Sequence, residues 1–107
     1  MSDSKFNGIV ILDAVPKGEL NTAIRLKEEI EDIACYSTAG LQVRYIRAEN
    51  IESLETGISN ILDEIKRNGL LPWIHLDGHG LTDESGFVLA DRSQCSWRKL
   101  KELITPL

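Results

Sequence analysis

The chain has 107 residues, which is enough for one domain with a core but short for a sheet covered on both faces. Its 12 basic and 17 acidic residues give a net charge of −5, which disfavours nucleic acid as a partner because phosphate contacts require an excess of Lys and Arg. No apolar run is long enough to cross a bilayer and the first residues lack the order of a signal peptide, so we expect a cytoplasmic protein without a membrane partner.

The first half of the chain predicts a strand, a helix and a second strand. Residues 8–14 form an apolar run rich in β-branched side chains, which is typical of a central strand buried on both faces. Residues 41–46 alternate apolar with polar side chains and predict a less buried strand at the sheet edge. Residues 19–34 predict an amphipathic helix that covers the sheet, with these apolar residues close to one face: Leu20, Ala23, Ile24, Ile30, Ile33 and Ala34.

The second helix has the clearest boundaries in the sequence. Asn50 is a good N-cap, and Gly69 follows a last turn that carries basic residues. The apolar side chains between these two residues lie on one stripe, which should face the sheet: Ile51, Leu54, Ile58, Ile61, Leu62 and Ile65.

The remaining residues predict one further long strand and a third helix. Residues 72–76 are a short apolar run bounded by glycines, as in a buried strand. Residues 87–90 predict a short strand or hairpin arm, and residues 91–95 predict a loop. Ser96 should cap a helix that ends near Ile104, with Leu100 and Leu103 facing inward.

This order of elements predicts a single α/β domain over residues 1–107, a three-layer sandwich with a mostly parallel sheet and the first strand in the middle. The strand at residues 72–76 would then have one unpaired edge. An apolar open edge favours association. We therefore expect either that a C-terminal half is missing or that the edge pairs with another chain, for example in a homo-oligomer.

The segment from Trp73 to Gly80 contains both histidines of the chain. His75 lies within the predicted strand, whereas His79 lies in the loop at its carboxyl end, where open α/β sheets bind ligands. The glycines on either side of His79, Gly78 and Gly80, allow a positive φ and a close approach of main chain to a ligand. The alternative is a tight turn that carries a surface histidine.

The residues of this loop disfavour three kinds of site. His75 and Asp77 would share a face with His79 nearby, but no third or fourth ligand of known spacing follows, so we expect no metal and no cofactor. A phospho-receiver would use Asp13 and Asp77, but the acidic pair after the first strand and the later lysine are missing. An α/β-hydrolase is disfavoured because there is no Gly-x-Ser-x-Gly elbow.

Cysteine-nucleophile catalysis is the remaining alternative. His79 would act as general base and the Gly80 N–H would donate to the developing oxyanion. The two cysteines are too few for a disulfide framework. Cys35, at the end of the first helix, is expected to be a small buried hydrophobe. Cys95 precedes a helix start, which would lower the pKa of its thiol and make it a candidate for reactivity.

Three segments together resemble the caspase-like cysteine peptidases, and most closely their CHAT branch: His75-Leu76-Asp77-Gly78-His79-Gly80, Ser85-Gly86-Phe87-Val88-Leu89-Ala90-Asp91 and Ser96-Trp97-Arg98-Lys99-Leu100. That family has a strand ending in His-Gly, a Gly-apolar-x-Leu-Ala-Asp hairpin and a helix opened by Ser or Thr. Asp13 and Pro16 match the Asp-x-x-Pro end of its first strand. The resemblance covers nearly the whole chain.

The resemblance implies a caspase-like domain, of which this chain would form the N-terminal, flavodoxin-like half, and a protein or peptide substrate. It makes His79 the catalytic histidine and Gly80 an oxyanion-hole glycine, with His75, Asp77 and Gly78 in support. The family's nucleophilic cysteine ends the next parallel strand, which should begin where this chain stops. We therefore expect a truncated cysteine endopeptidase domain that is inactive alone. The alternative is a non-enzymatic α/β module that binds a partner protein through its sheet edge.

Overall fold

The computed structural model describes residues 6–35 and 40–105. Within them the elements are, in chain order, β1 (Gly8–Asp13), α1 (Thr22–Cys35), β2 (Gln42–Arg47), α2 (Ile51–Asn68), β3 (Pro72–Asp77), β4 (Gly86–Val88), β5 (Gln94–Ser96) and α3 (Trp97–Ile104).

The three long strands form a parallel sheet in the order β2-β1-β3. The predicted central position of the first strand is confirmed. Residues in register project to the same face of a parallel sheet, so Ile11, Tyr45 and His75 share one face. The sheet is an α/β arrangement in which all three carboxyl ends meet at one edge.

Helices cover both faces of this sheet, and the alternation along β1 explains why. Val10 and Leu12 project into a core shared with α2 and α3, which includes Leu54 and Phe87. Ile11 projects to the other face, where it packs with Ala23 of α1. Because β1 is apolar on both sides, each face buries its own cluster and stabilises one helical layer.

Helix α2 begins and ends where the sequence predicts. The Asn50 side chain accepts a hydrogen bond from the Ser53 N–H at 2.9 Å, and the Ser53 hydroxyl accepts one from the Asn50 N–H at 3.0 Å. Gly69 ends the helix in the left-handed conformation, with φ at 69°. These reciprocal bonds satisfy main-chain groups that the first turn otherwise leaves without partners.

Helix α1 differs from its prediction at both ends. It begins at Thr22 rather than at residue 19, because the Asn21 side chain caps it by accepting from the Ile24 N–H at 2.9 Å. Its covered face is formed by Ala23, Leu26 and Ile30. The predicted inward positions of Leu20, Ile24 and Ile33 are wrong, since these side chains are exposed.

The predicted hairpin arm pairs with a strand that the sequence did not predict. β4 is antiparallel to β5, which replaces the last two residues of the predicted loop at 91–95 and extends to Ser96. Gly86 makes this pairing possible, because a Cβ at that position would lie 2.1 Å from the Cys95 carbonyl oxygen. Main-chain bonds from Ala90 N–H to Ala48 O (3.0 Å) and from Asp91 N–H to Glu49 O (2.9 Å) attach the hairpin to the end of β2.

The prediction that residues 72–76 form a buried strand is wrong in its burial: β3 is a strand, but none of its residues is fully buried and Trp73 is exposed, because β3 lies at the end of the order β2-β1-β3. Helix α3 agrees with its prediction more closely. Ser96 caps α3 by accepting from the Lys99 N–H at 3.0 Å, and Leu100 and Leu103 pack against the core beneath α2. Across residues 6–35 and 40–105, none of the helices combines the length and the apolar character needed to cross a membrane.

Candidate functional site

The carboxyl edge of the parallel sheet brings charged residues of all three strands together. Asp13 ends β1 and lies in register with Arg47 of β2 and Asp77 of β3. The loops that follow β1 and β3 add Glu19 and His79 at the same edge. This edge is where parallel sheets of α/β proteins bind ligands.

Asp13 is completely buried, and both of its carboxylate oxygens are occupied. Oδ1 accepts from the Val15 N–H at 3.0 Å and from Arg47 Nη1 at 2.8 Å. Oδ2 accepts from Asn21 Nδ2 at 2.8 Å and from the Tyr45 hydroxyl. Burial, followed by the bond to Asp13, raises the pKa of Tyr45. Asp13 therefore joins β1, β2 and the loop before α1, and no carboxylate oxygen remains for chemistry.

The His79 side chain projects from the loop after β3 and is 59% exposed. Its Nε2 lies 2.6 Å from Oε1 of Glu19, which belongs to the loop between β1 and α1. The other oxygen of Glu19 lies 3.8 Å from Nη2 of Arg92, in the turn between β4 and β5. The sequence predicts His79 at this edge but not Glu19 and Arg92, because neither charged residue belongs to a recognisable motif.

The main chain around His79 continues the hairpin. The His79 carbonyl accepts from the Val88 N–H at 2.8 Å, and the Leu81 N–H donates to the Gly86 carbonyl at 2.9 Å. Gly80 lies between these bonds and opposes Phe87 as a non-hydrogen-bonded pair. In such a pair the N–H and C=O point away from the partner strand. The Gly80 N–H is consequently directed outward, beside His79.

The two glycines that flank His79 do not serve the conformational purpose predicted for them. Within the described part of the chain, the glycines with positive φ are Gly18, Gly40 and Gly69. Gly78 is instead needed for close packing, since a Cβ there would lie 3.0 Å from Cβ of Ala14. A Cβ at Gly80 would meet only the Gly86 carbonyl oxygen, at 3.9 Å.

His75 and Asp77 lie on one face of β3, as the alternation predicts, but they do not converge on His79. Asp77 Oδ2 accepts from the Thr22 hydroxyl at 2.5 Å, at the start of α1. His75 is half-buried in register with Ile11. No group of three or more potential metal ligands occurs among residues 6–35 and 40–105.

Neither cysteine reaches this edge of the sheet. Cys95 is buried in the core with Phe87 and Leu89, and burial raises the pKa of its thiol, with Lys99 opposing the effect. The expectation of a lowered pKa is therefore wrong. Cys35 is exposed rather than buried, so that expectation is also wrong. It ends α1, which runs away from the site for 14 residues, about 20 Å at 1.5 Å per residue.

No family model, curated protein or solved structure matches this chain. The chemistry available at the site follows from its own groups. An exposed imidazole is held at one nitrogen by a carboxylate, and a main-chain N–H points outward beside it. These are a proton acceptor and a hydrogen-bond donor, and neither of the two cysteines, which the structure describes as exposed Cys35 and buried Cys95, accompanies them.

A groove of about 630 Å³ lies elsewhere, between β2 and α2. Arg44 and Glu64 form an ion pair at 2.8 Å on its wall, and the bond to Arg44 lowers the pKa of Glu64. Because these two charges pair with each other, the groove is a weaker candidate site than the edge at His79.

Proposed function

We propose that this chain supplies the general base and an oxyanion donor of a caspase-like cysteine peptidase of the CHAT type, acting on a protein or peptide. The nucleophilic cysteine would come from a segment that pairs with β3. The observation that carries the proposal is that His79 and the outward Gly80 N–H follow β3, whose outer side pairs with no other strand of residues 6–35 and 40–105.

The hydrogen-bond pattern of β3 supports the pairing. The Asp77 carbonyl accepts from the Ala14 N–H at 2.8 Å, so it points toward β1. By alternation, the main-chain groups of Ile74 and Leu76 point away from the sheet. A parallel strand that bonded to them would lie about 4.8 Å from β3 and end beside the His79 loop. A cysteine at its carboxyl end would be within reach of the imidazole.

The two groups have complementary roles in peptide cleavage. His79 would take the thiol proton while the sulfur forms a bond to the scissile carbonyl carbon, and the Gly80 N–H would donate to the resulting oxyanion. Cleavage of the C–N bond would return the proton to the leaving amine. Water, activated by the same imidazole, would then hydrolyse the thioester and free the cysteine.

We further propose that this chain folds as the N-terminal half of a caspase-like domain. The order β2-β1-β3, helices on both faces and a hairpin directly after the histidine agree with the N-terminal half of a caspase-like domain. The expected complete domain adds at least one parallel strand next to β3.

The test is to express the chain with the coding segment that follows Leu107 and to screen the product against a library of fluorogenic peptides. His79→Ala should abolish cleavage, whereas Glu28→Ala, a control on the exposed side of α1, should retain it. Activity that survives His79→Ala would contradict the proposal. So would a gene without a further apolar strand that ends in cysteine.

A second function is favoured by a different observation. Phe6, Leu71 and Trp73 are exposed near the start of β3, and the Phe6 and Trp73 rings form an edge contact at 5.2 Å. The chain could therefore be a non-enzymatic module that pairs through this edge with another copy or another protein. Sedimentation equilibrium separates the functions in part. A dimer that Trp73→Lys converts to monomer would support the module, and a monomer at all concentrations would count against self-pairing.

A further inference from the structure

We propose that Glu19 is the positioning residue of His79. It holds the imidazole through Nε2 and leaves Nδ1 as the nitrogen that exchanges protons with the reacting groups. The catalytic meaning of this contact rests on the function proposed above. The contact itself, 2.6 Å between Nε2 and Oε1, stands independently of that function.

The loop that carries Glu19 is fixed at both ends by the same buried carboxylate. Asp13 accepts from the Val15 N–H before Glu19 and from the Asn21 side chain after it. Asn21 in turn caps α1, and the Glu19 N–H donates to the Pro16 carbonyl at 3.3 Å. Glu19 therefore projects from a segment with few remaining degrees of freedom.

The histidine side of the contact is fixed as well. The His79 carbonyl is bonded to β4, and Gly78 lies against Ala14. The Thr22 hydroxyl donates to the Asp77 carboxylate, which makes a second link between the start of α1 and the end of β3. Two polar contacts thus join the same pair of segments, so the distance between Glu19 and His79 is set by the fold around them.

The chemistry of the contact determines which nitrogen is basic. An ionised carboxylate can only accept hydrogen bonds, so the neutral imidazole must carry its proton on Nε2 and its lone pair on Nδ1. Arg92 lies 3.8 Å from the second oxygen of Glu19 and helps to orient the carboxylate.

The first test uses the chain itself. Long-range ¹H–¹⁵N spectra, recorded at a pH where histidine is neutral, report which ring nitrogen carries the proton. We expect His79 to be a single Nε2–H tautomer. A separate NOE spectrum should show cross-peaks between its ring protons and the Glu19 side chain. Glu19→Gln should give a mixture of tautomers, because its amide can also donate, and Glu19→Ala should lose the cross-peaks. The ring signals of His75 should be the same in the wild type and in both Glu19 variants. The control Glu28→Ala should leave the ring signals of His79 unchanged.

The second test uses the chain with its downstream segment. Glu19→Ala should lower kcat about 10- to 100-fold with little change in KM, as expected for an impaired general base. Glu19→Asp should restore part of the loss. If wild-type His79 exchanges between tautomers and Glu19→Ala leaves its spectrum unchanged, the inference is overturned. Cleavage that survives His79→Ala would instead overturn the proposed function and leave the spectroscopic result intact.

Discussion

Asp13 and Arg47 form an ion pair across adjacent strands, with Nη1 2.8 Å from Oδ1 and the carboxylate completely removed from solvent. Paired charges at this depth are tolerated only when every lone pair is used. Asp13 meets that condition through four donors. Two are side chains of β2, Tyr45 and Arg47, and two belong to the segment between β1 and α1, the Val15 N–H and the Asn21 side chain. Asp13 therefore fixes the start of the loop that carries Glu19.

Asp13→Ala should destabilise the domain strongly. The substitution leaves Arg47, Tyr45 and Asn21 without their shared acceptor, which we expect to lower the free energy of unfolding by about 3–5 kcal/mol. Urea unfolding followed by circular dichroism measures the change. Asp63→Ala, on the exposed side of α2, is the control and should shift stability by less than about 0.5 kcal/mol. Equal effects of the two substitutions would contradict the role given to Asp13.

Gly86→Ala and Gly80→Ala should have very different effects. The added Cβ at Gly86 would lie 2.1 Å from the Cys95 carbonyl oxygen, whereas at Gly80 the nearest atom is 3.9 Å away. Main chain must shift in the first case, so we expect a loss of about 3 kcal/mol or more, and a small loss in the second. Thermal unfolding of both variants provides the comparison, and a Gly86→Ala protein as stable as Gly80→Ala would show that β4 and β5 are not paired this closely.

The two cysteines should react with thiol reagents at different rates. Cys35 is exposed and Cys95 is buried with a raised pKa. At pH 7.5 and without denaturant, Ellman's reagent should therefore modify one thiol per chain rapidly, and the second only after unfolding. In Cys35→Ala the rapid phase should disappear. Rapid modification of Cys95 in that variant would mean that the hairpin opens readily.

Stability should fall in alkaline solution. Folding raises the pKa of Cys95 and of Tyr45, both through burial. A group whose folded-state pKa is raised contributes stability below its unfolded pKa and loses that contribution as the pH rises toward the folded value. The urea midpoint should consequently decrease between about pH 8.5 and 10.5, the range that begins at the unfolded pKa of cysteine. Cys95→Ala should flatten this decrease, although it lowers the midpoint at every pH. A midpoint independent of pH would contradict the two shifts.

Local patterns account for much of the fold. Asn50 and Gly69 mark the ends of α2 because caps act on main-chain groups within a few residues, so the boundary is written in the sequence beside it. The strand at Gly8–Asp13 is recognisable for a similar reason, since burial on both faces requires an uninterrupted apolar run. These elements needed no knowledge of distant contacts.

The features that the sequence did not predict depend on distant contacts. β5 consists of Gln94, Cys95 and Ser96, which carry no strand pattern and become a strand only by pairing with β4. Glu19 lies 60 positions from His79, and a single acid in a turn is no signal of a site. Cys35 occupies a helical position whose orientation depends on where α1 starts, and that start follows from the cap at Asn21. Such placements result from tertiary structure.

The two tryptophans are optical reporters of two regions, the edge of β3 and the hairpin of β4 and β5. Trp73 is 57% exposed beside the open edge of β3, whereas Trp97 packs against Phe87 and donates from its indole nitrogen to the Glu84 carbonyl. In Trp97→Phe, fluorescence would come from the β3 edge alone. Occupation of that edge by a strand or a second chain would remove water from the Trp73 indole and shift its emission to shorter wavelength, so binding partners can be detected without any label.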